Sequence, residues 1–279
     1  MGLRVNTNTA SLNSQFHLRN TNSGISKLME HLSSGSKINS AADDAAGLAV
    51  SEKMRADLRG LKQVERNAQD GISLTQIAEG SLSQISNMLI RLRELGVQAG
   101  SDTINDDNRK LVDLEFQSIK AEIERIANAT EFNGAKLLNG TGKSMDFQIN
   151  TRNVAMVDRI SFDPAAADCG VTALGIDQTA VDDKYLAQTA LDQIDTALAR
   201  VSELRASFGS IQSRLNTTSE NIRNNVENIS SASSRIKDTD FAEETAELTK
   251  KNMMLQAGTS ILAQANQQPG QALQLLHRG

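Results

Sequence analysis

The positions Leu58, Leu61, Val64, Ala68, Ile72, Thr75, Ala78, Leu82, Ile85, Leu89 and Leu92 recur at steps of three and four, with mostly polar residues between them. This is the period of one helical face, and its persistence predicts a long helix with a seam for a partner. The helix is expected to start at Asp43, with Ser40 as N-cap and Asp43 as the acid of a capping box. Gly96 and Gly100 should weaken and end it. After the polar stretch of residues 101–108, Val112, Phe116, Ile119, Ile123 and Ile126 step as a strict heptad and predict a second helix. A third long seam starts near Val181 and runs through Leu191, Ile194, Leu198, Val201, Leu204, Phe208, Ile211, Leu215, Thr218, Ile222, Val226, Ile229 and Ile236. Its expected partner is the first long helix, which folds the chain back as a coiled-coil rod.

Between these helices the period drops to two. Met145, Phe147 and Ile149 alternate with Asp146, Gln148 and Asn150, and Ile160 with Phe162 suggests a partner strand. Asn133-Gly134 and Asn139-Gly140 are turn dipeptides. Residues 140–178 are therefore predicted to hold a small β-hairpin region. The fold class that follows is mainly α: long antiparallel helices in a coiled-coil rod, with the hairpin region at the tip.

The two ends differ from this pattern. In residues 1–40, Val5, Leu12, Phe16, Ile25, Leu28 and Leu32 make only a thin stripe. Such a stripe does not offset roughly 1–2 kcal/mol of backbone entropy per residue, so this end is predicted to be largely disordered on its own. From Asn252 to His277 there is no Asp, Glu, Lys or Arg, in a chain that is 23% charged overall. A spanning helix needs about 20 mainly apolar residues, and the glutamines and asparagines of this stretch exclude one. Burial against other protein explains the missing charge better. Leu248, Leu255, Ile261, Leu262, Ala265, Leu273 and Leu276 fit a loose helical stripe, and they are the expected polymerisation residues of an assembly segment.

Composition narrows the classes further. Aromatics are 3% of the chain, there is no Trp, and Pro164 and Pro269 are the two prolines, which suits long helices rather than a core built on large rings. A net charge of −5 gives no basic surface for nucleic acid or an acidic membrane. Cys169 is the single cysteine, so no intrachain disulfide is expected. No apolar signal-peptide core follows Met1, which on composition alone reads as cytoplasmic. Catalytic signatures are missing. Asp43-Asp44 and Asp182-Asp183 sit at predicted helix starts, where acids suit the dipole. His17, His31 and His277 lie far apart without metal-ligand spacing. Gly140-Thr141-Gly142-Lys143 lacks the P-loop pattern, and Ser34 to Lys37 is a bare SxxK. The sequons at Asn128, Asn216 and Asn228 fall in helical seams or their ends. No enzyme activity, cofactor or metal is expected.

Four stretches are more specific than any period. VNTN at Val5–Asn8, SSGSKINSAADDAAGLAVSEKMRADLRGL at Ser33–Leu61, RLRELGVQAGS at Arg91–Ser101 and SRIKDTDFAEETAELTKKNMMLQAGTSILAQANQ at Ser234–Gln267 resemble the two ends of bacterial flagellin. The resemblance covers nearly the whole chain and is weakest from about Gly140 to Ala180. It looks like a short form without the variable outer domains. It implies an inner terminal-helix domain from residues 1–42 and 239–279, both termini paired as helices, and a rod domain from residues 43–180 and 181–238. It implies a structural subunit that polymerises into the flagellar filament for swimming motility. Export would run through the flagellar type III apparatus without a cleavable signal, to an extracellular filament. The partners implied are the chain itself, an export chaperone, the filament cap and the hook-filament junction proteins. A hook-associated junction protein is the alternative. The resemblance also places Arg91, Leu95 and Glu115 on positions that contact the flagellin-sensing Toll-like receptor and serve subunit packing. Here the seam passes through Ile85, Leu89, Leu92, Gly96 and Ala99, so Arg91 and Leu95 are expected on the adjoining face. An ordinary solvated helix edge is the plainer reading of those three residues.

Overall fold

The computed structural model describes residues 7–277, leaving aside the side chains of residues 155–156, 268–269 and 271–277. The protein is mainly helical. Its elements in order are α1 (Thr9–Ser34), α2 (Ala45–Ala99), α3 (Asp106–Ala129), β1 (Glu131–Phe132), β2 (Ala135–Lys136), β3 (Met145–Gln148), α4 (Ala155–Asp158), β4 (Arg159–Phe162), α5 (Lys184–Lys237) and α6 (Phe241–His277). Two compact units result. One comprises residues 1–56 and 228–279, the other residues 57–227.

The second unit is built on the predicted seams. Leu61, Val64, Ala68, Ala78, Leu82, Ile85, Leu89 and Leu92 of α2 are buried, as are Ile194, Val201, Leu204, Phe208, Leu215 and Ile222 of α5. The two helices run antiparallel. Glu65 pairs with Arg223 at 2.7 Å and Arg93 with Asp195 at 2.7 Å, so an advance from 65 to 93 on α2 meets an equal retreat from 223 to 195 on α5. The buried face of α2 is wider than one seam, because Leu74, Leu95 and Ala99 are buried too. A two-helix seam needs two positions per heptad. Here α3 covers a further face of α2, and its Phe116, Ile123 and Ile126 join the same core. Of the expected α3 seam, Val112 and Ile119 pack partly buried at the margin of that core.

The expected start of α2 shifts by two residues, and its end falls at Ala99, directly before Gly100. The carboxylate of Asp43 accepts from the backbone N–H of Ser40 and its hydroxyl, each at 3.0 Å, and so closes a local turn ahead of the helix. The N-cap of α2 is Asp44, whose side chain accepts from the Gly47 N–H at 2.9 Å. At the other end Gly96 does not stop α2. It lets Leu191 of α5 approach, since a Cβ there would lie 3.0 Å from that side chain. The helix ends where the buried guanidinium of Arg109 takes its terminal carbonyls, donating to Ala99 O at 2.8 Å. A cation at a helix C-terminus is favoured by the dipole. On α3, Lys120 acts similarly, donating to the carbonyls of Asp177 and Thr179, each at 2.8 Å.

The hairpin region has two parts. β3 and β4 pair antiparallel in the expected alternation, with Met145 opposite Phe162 and Phe147 opposite Ile160. Phe162 packs on Phe208 of α5, ring centroids 4.9 Å apart. The earlier Asn133-Gly134 dipeptide makes a second hairpin, joining β1 and β2. Its two turn residues have φ of 49° and 79°, the positive values that a tight two-residue hairpin loop requires. Apart from α4 and a 3₁₀ turn at Pro164–Ala167, the rest of the 140–178 segment is irregular, and its Ala167, Leu174 and Ile176 join the core. Cys169 is fully buried there. Burial pushes its thiol up to about 12, and the nearby Asp168 acts in the same direction.

The aromatic contact between hairpin and helix gives a direct test. Phe208→Ala removes a ring that is 2% exposed, and the expected cost is about 3–5 kcal/mol of stability. Urea unfolding followed by circular dichroism would read it, and a loss below about 1 kcal/mol would show that the hairpin anchor contributes little.

Candidate functional site

The predicted interaction segments meet in the first unit, where α1 packs along α6. The N-terminal segment is an ordered helix here rather than a disordered end, because α6 supplies the surface it lacks alone. Half-buried or buried positions on α1 are Ser11, Ser14, Gln15, Leu18, Thr21, Gly24, Ile25, Leu28, His31 and Leu32; on α6 they are Glu244, Glu247, Leu248, Lys251, Leu255, Gly258, Leu262 and Ala265. Both sets recur at helical spacings of three and four, with adjacent pairs that widen the stripe. Many of these side chains are small, so the helices come close: a Cβ on Gly258 would lie 2.8 Å from Leu18.

Polar contacts set the register of this pair. The Asn8 side chain caps α1 by accepting from Ser11 N–H at 3.1 Å, and its amide donates to Ala265 O at 2.7 Å. Ser11 Oγ donates to Asn266 Oδ1 at 2.8 Å. At the opposite end, His31 Nδ1 lies 3.2 Å from Glu244 Oε1, both groups largely buried. The backbone then ties the exit of α1 to the entry of α6, with Lys37 N–H donating to Lys237 O at 2.7 Å and Thr239 N–H to Gly35 O at 3.1 Å. Gly35 has φ 68°, the left-handed turn that ends α1 and turns the chain toward that contact.

The expected polymerisation residues divide into two sets. Leu248, Leu255, Leu262 and Ala265 lie on the stripe that faces α1 of the same chain, whereas Ile261 is 56% exposed. The side chains of Leu273 and Leu276 lie outside the described residues. Exposed alongside Ile261 are Met253 and Met254 of α6 and Leu12, Phe16 and Met29 of α1. Leu12 and Phe16, expected on one thin stripe with Ile25, Leu28 and Leu32, face outward while those three are half-buried, and the outward methionines had no place in the sequence reading. The signal was present, since Met254 and Ile261 are seven residues apart and fall on one stripe, but the leucines of the intramolecular seam masked it. Single exposed apolar side chains are ordinary; several on one helix pair mark an interaction surface.

The three residues of the other candidate surface separate as well. Arg91 reaches across from α2 to Glu115 of α3 at 2.7 Å and also bonds Glu94 of its own helix at 3.0 Å. These carboxylates, Glu115 first, hold the Arg91 guanidinium above its ordinary value. Leu95 is 1% exposed and belongs to the core. It lies one turn along α2 from Arg91 but is not part of the surface. Among the described residues no helix is long and apolar enough to cross a membrane.

Family models for the bacterial flagellin N-terminal and C-terminal helical regions match residues 5–143 and 191–276. The flagellin of Halalkalibacterium halodurans is 43% identical over 273 residues, covering 98% of this chain and 99% of the relative. A flagellar filament 33 kDa core protein of Treponema phagedenis is 39% identical, with 98% and 99% covered. The crystal structure of Bacillus cereus flagellin superposes with a TM-score of 0.51 at 32% identity, covering 56% of this chain and 88% of that one.

The buried contact at the end of the helix pair can be tested on its own. His31→Ala leaves the Glu244 carboxylate with only the Thr239 hydroxyl, at 3.3 Å, and an undersatisfied buried group costs about 1–3 kcal/mol. Amide exchange should accelerate across residues 9–34 and 241–265 while residues 57–227 keep their protection; unchanged exchange in α1 and α6 would show that the pair does not hold them.

Proposed function

The chain belongs to the bacterial flagellin family, and from that membership we infer that it is a structural subunit that polymerises into the flagellar filament for swimming motility. The observation that carries the assembly mechanism is the exposed apolar set on α1 and α6. These helices have already satisfied their mutual seam, yet they keep Leu12, Phe16, Met253, Met254 and Ile261 in water. Burying those side chains between copies returns about 25 cal/mol per Å² of apolar area. The charge-free stretch from Asn252 to His277 fits the same reading. Packed around a central channel, it covers its neighbours without desolvating charge, and its amide-rich face gives a passing unfolded chain few fixed charges to bind.

Residues 1–42 with 239–279 then act as the inner domain and residues 43–238 as the surrounding one. The subunit leaves the cell by the flagellar type III route without a cleavable signal and functions in the extracellular filament. An export chaperone, the filament cap and the hook-filament junction proteins are its further partners. A hook-associated junction role has less support, because relatives matching nearly end to end carry flagellin and filament names.

Ile261→Asp tests the assembly surface. It places a charge on the exposed stripe and leaves the stripe facing α1 untouched. The expected result is a monomer of unchanged helicity that no longer sediments as polymer at concentrations where the parent chain does. Filaments of the variant, seen by electron microscopy at parental yield, would refute the assignment.

The ion pair of Arg91 and Glu115 is the second proposed contact, made with the flagellin-sensing Toll-like receptor in the monomer and with neighbouring subunits in the filament. Both side chains are about half exposed, so the pair itself stabilises the fold by no more than about 1 kcal/mol. Replacing both by Ala should therefore leave helicity intact while lowering receptor activation about tenfold or more, the scale of a residue that dominates an interface. Leu95 is left unchanged in this test, because its removal would open the core. Parental activity in both receptor and assembly assays would reduce the pair to a solvated edge.

A further inference from the structure

The methionines are distributed unevenly between surface and core. Among those whose side chains are described, Met29, Met253 and Met254 are 58%, 59% and 50% exposed, and all three lie on α1 or α6. Met54, Met88 and Met145 are half-buried, and Met88 and Met145 pack against the core of residues 57–227. Among the described side chains the exposed thioethers thus lie on the terminal helix pair. Met253 and Met254 are adjacent, and Met254 shares its stripe with Ile261. The surrounding surface carries no charged side chain from Asn252 onward to His277.

We propose that Met253 and Met254 form an oxidation-sensitive modification site that controls self-association of this chain, with a peroxide as the oxidant. The inference rests on the reading of the α1–α6 surface as the polymerisation face. The chemistry is oxygen-atom transfer. A sulfur lone pair attacks the peroxide, the S–O bond forms as the O–O bond breaks, sulfur loses two electrons, and hydrogen peroxide leaves as water. The product is a sulfoxide, a strong hydrogen-bond acceptor where a soft apolar group stood. On the free monomer that acceptor is solvated. Between copies it must be buried without an assured donor, which opposes association. Polymerisation in turn covers the sulfur atoms, so the site is open only between synthesis and assembly. Oxidative damage is thereby directed to unassembled subunits, whose cores keep their methionines protected.

The test uses the full chain, exposed to hydrogen peroxide as monomer and as preformed polymer, with sulfoxides mapped by peptide mass spectrometry. Met253 and Met254 should oxidise several-fold faster than Met88 and Met145 in the monomer, and several-fold slower in the polymer than in the monomer. The oxidised monomer should need about tenfold more protein to polymerise, a deficit reversed by methionine sulfoxide reductases. The Met253→Leu, Met254→Leu double variant should lose its sensitivity to peroxide, read as an equal polymerisation threshold for that variant before and after treatment. If that variant fails to polymerise, reductase rescue of the parent chain combined with the sulfoxide map decides. Assembly of the doubly oxidised chain at the parental concentration would overturn the proposal, as would equal oxidation of Met88, or continued sensitivity of the Leu variant. Failure of the untreated parent chain to polymerise would instead sink the polymerisation reading and this inference with it.

Discussion

The seam between α1 and α6 is the constraint on which the terminal unit depends. Its contacts are made by Ser11, Gly24, Gly258 and Ala265 as much as by leucines, so the helices approach closely but remove little apolar surface from water. Order there comes from directional contacts: the Asn8 side chain holding both helices at one end, the His31–Glu244 contact near the other, and the backbone bonds of residues 35–37 to 237–239. Hydrogen bonds and close packing fix register well and add modest net stability. The pair is therefore defined in geometry yet left with apolar side chains unspent. A subunit that must stay monomeric in transit and associate afterwards benefits from that combination.

In residues 57–227 the balance is reversed. Three helices and a hairpin bury Leu, Ile and Phe in a large core and a smaller cluster around Ala68, Ile160 and Leu215, and polar groups are used to finish ends rather than to hold seams. Arg109 and Lys120 are buried cations whose partners are mainly carbonyl oxygens at α2's end and in the 177–179 segment. Each replaces the water that an exposed helix end or loop would use. Asp158, also buried, accepts from Asn150 and from the Val154 N–H and so shapes the connection between β3 and β4.

What was legible in the sequence followed from how strongly each interaction marks a period. The α2 and α5 seams are long and apolar, and they were readable residue by residue. The wider buried face of α2 was not, because Leu95 falls between seam positions. β1 and β2 are two residues each, too short for any alternation, so the Asn133-Gly134 turn was their sole trace. Ser40 and Asp43 have the chemistry of a capping box, yet Asp44 competes for the same end and prevails through its contact with Gly47. At the terminal pair, leucine spacing revealed the stripe turned toward α1 and masked the Met254–Ile261 spacing of the outward set, whose other members are spread over two helices. The receptor-type positions came from resemblance alone; geometry then separated the exposed Arg91 and Glu115 from the buried Leu95.

The antiparallel register of α2 and α5 has a consequence for how this chain can change length. From Glu65–Arg223 to Arg93–Asp195 the partners keep step one for one. A single residue inserted in either helix would rotate everything beyond it by about 100° and turn core positions toward solvent. Growth within the helices is tolerable only as whole heptads added to both at matching levels. The segment between β2 and α5 is under no such register constraint, since its exposed loops, such as residues 151–154, can lengthen while its buried residues, among them Phe162 and Cys169, stay on the core. Gene-length variation compatible with this architecture is thus funnelled into the middle of the chain, and the two halves flanking it are held to a common ruler.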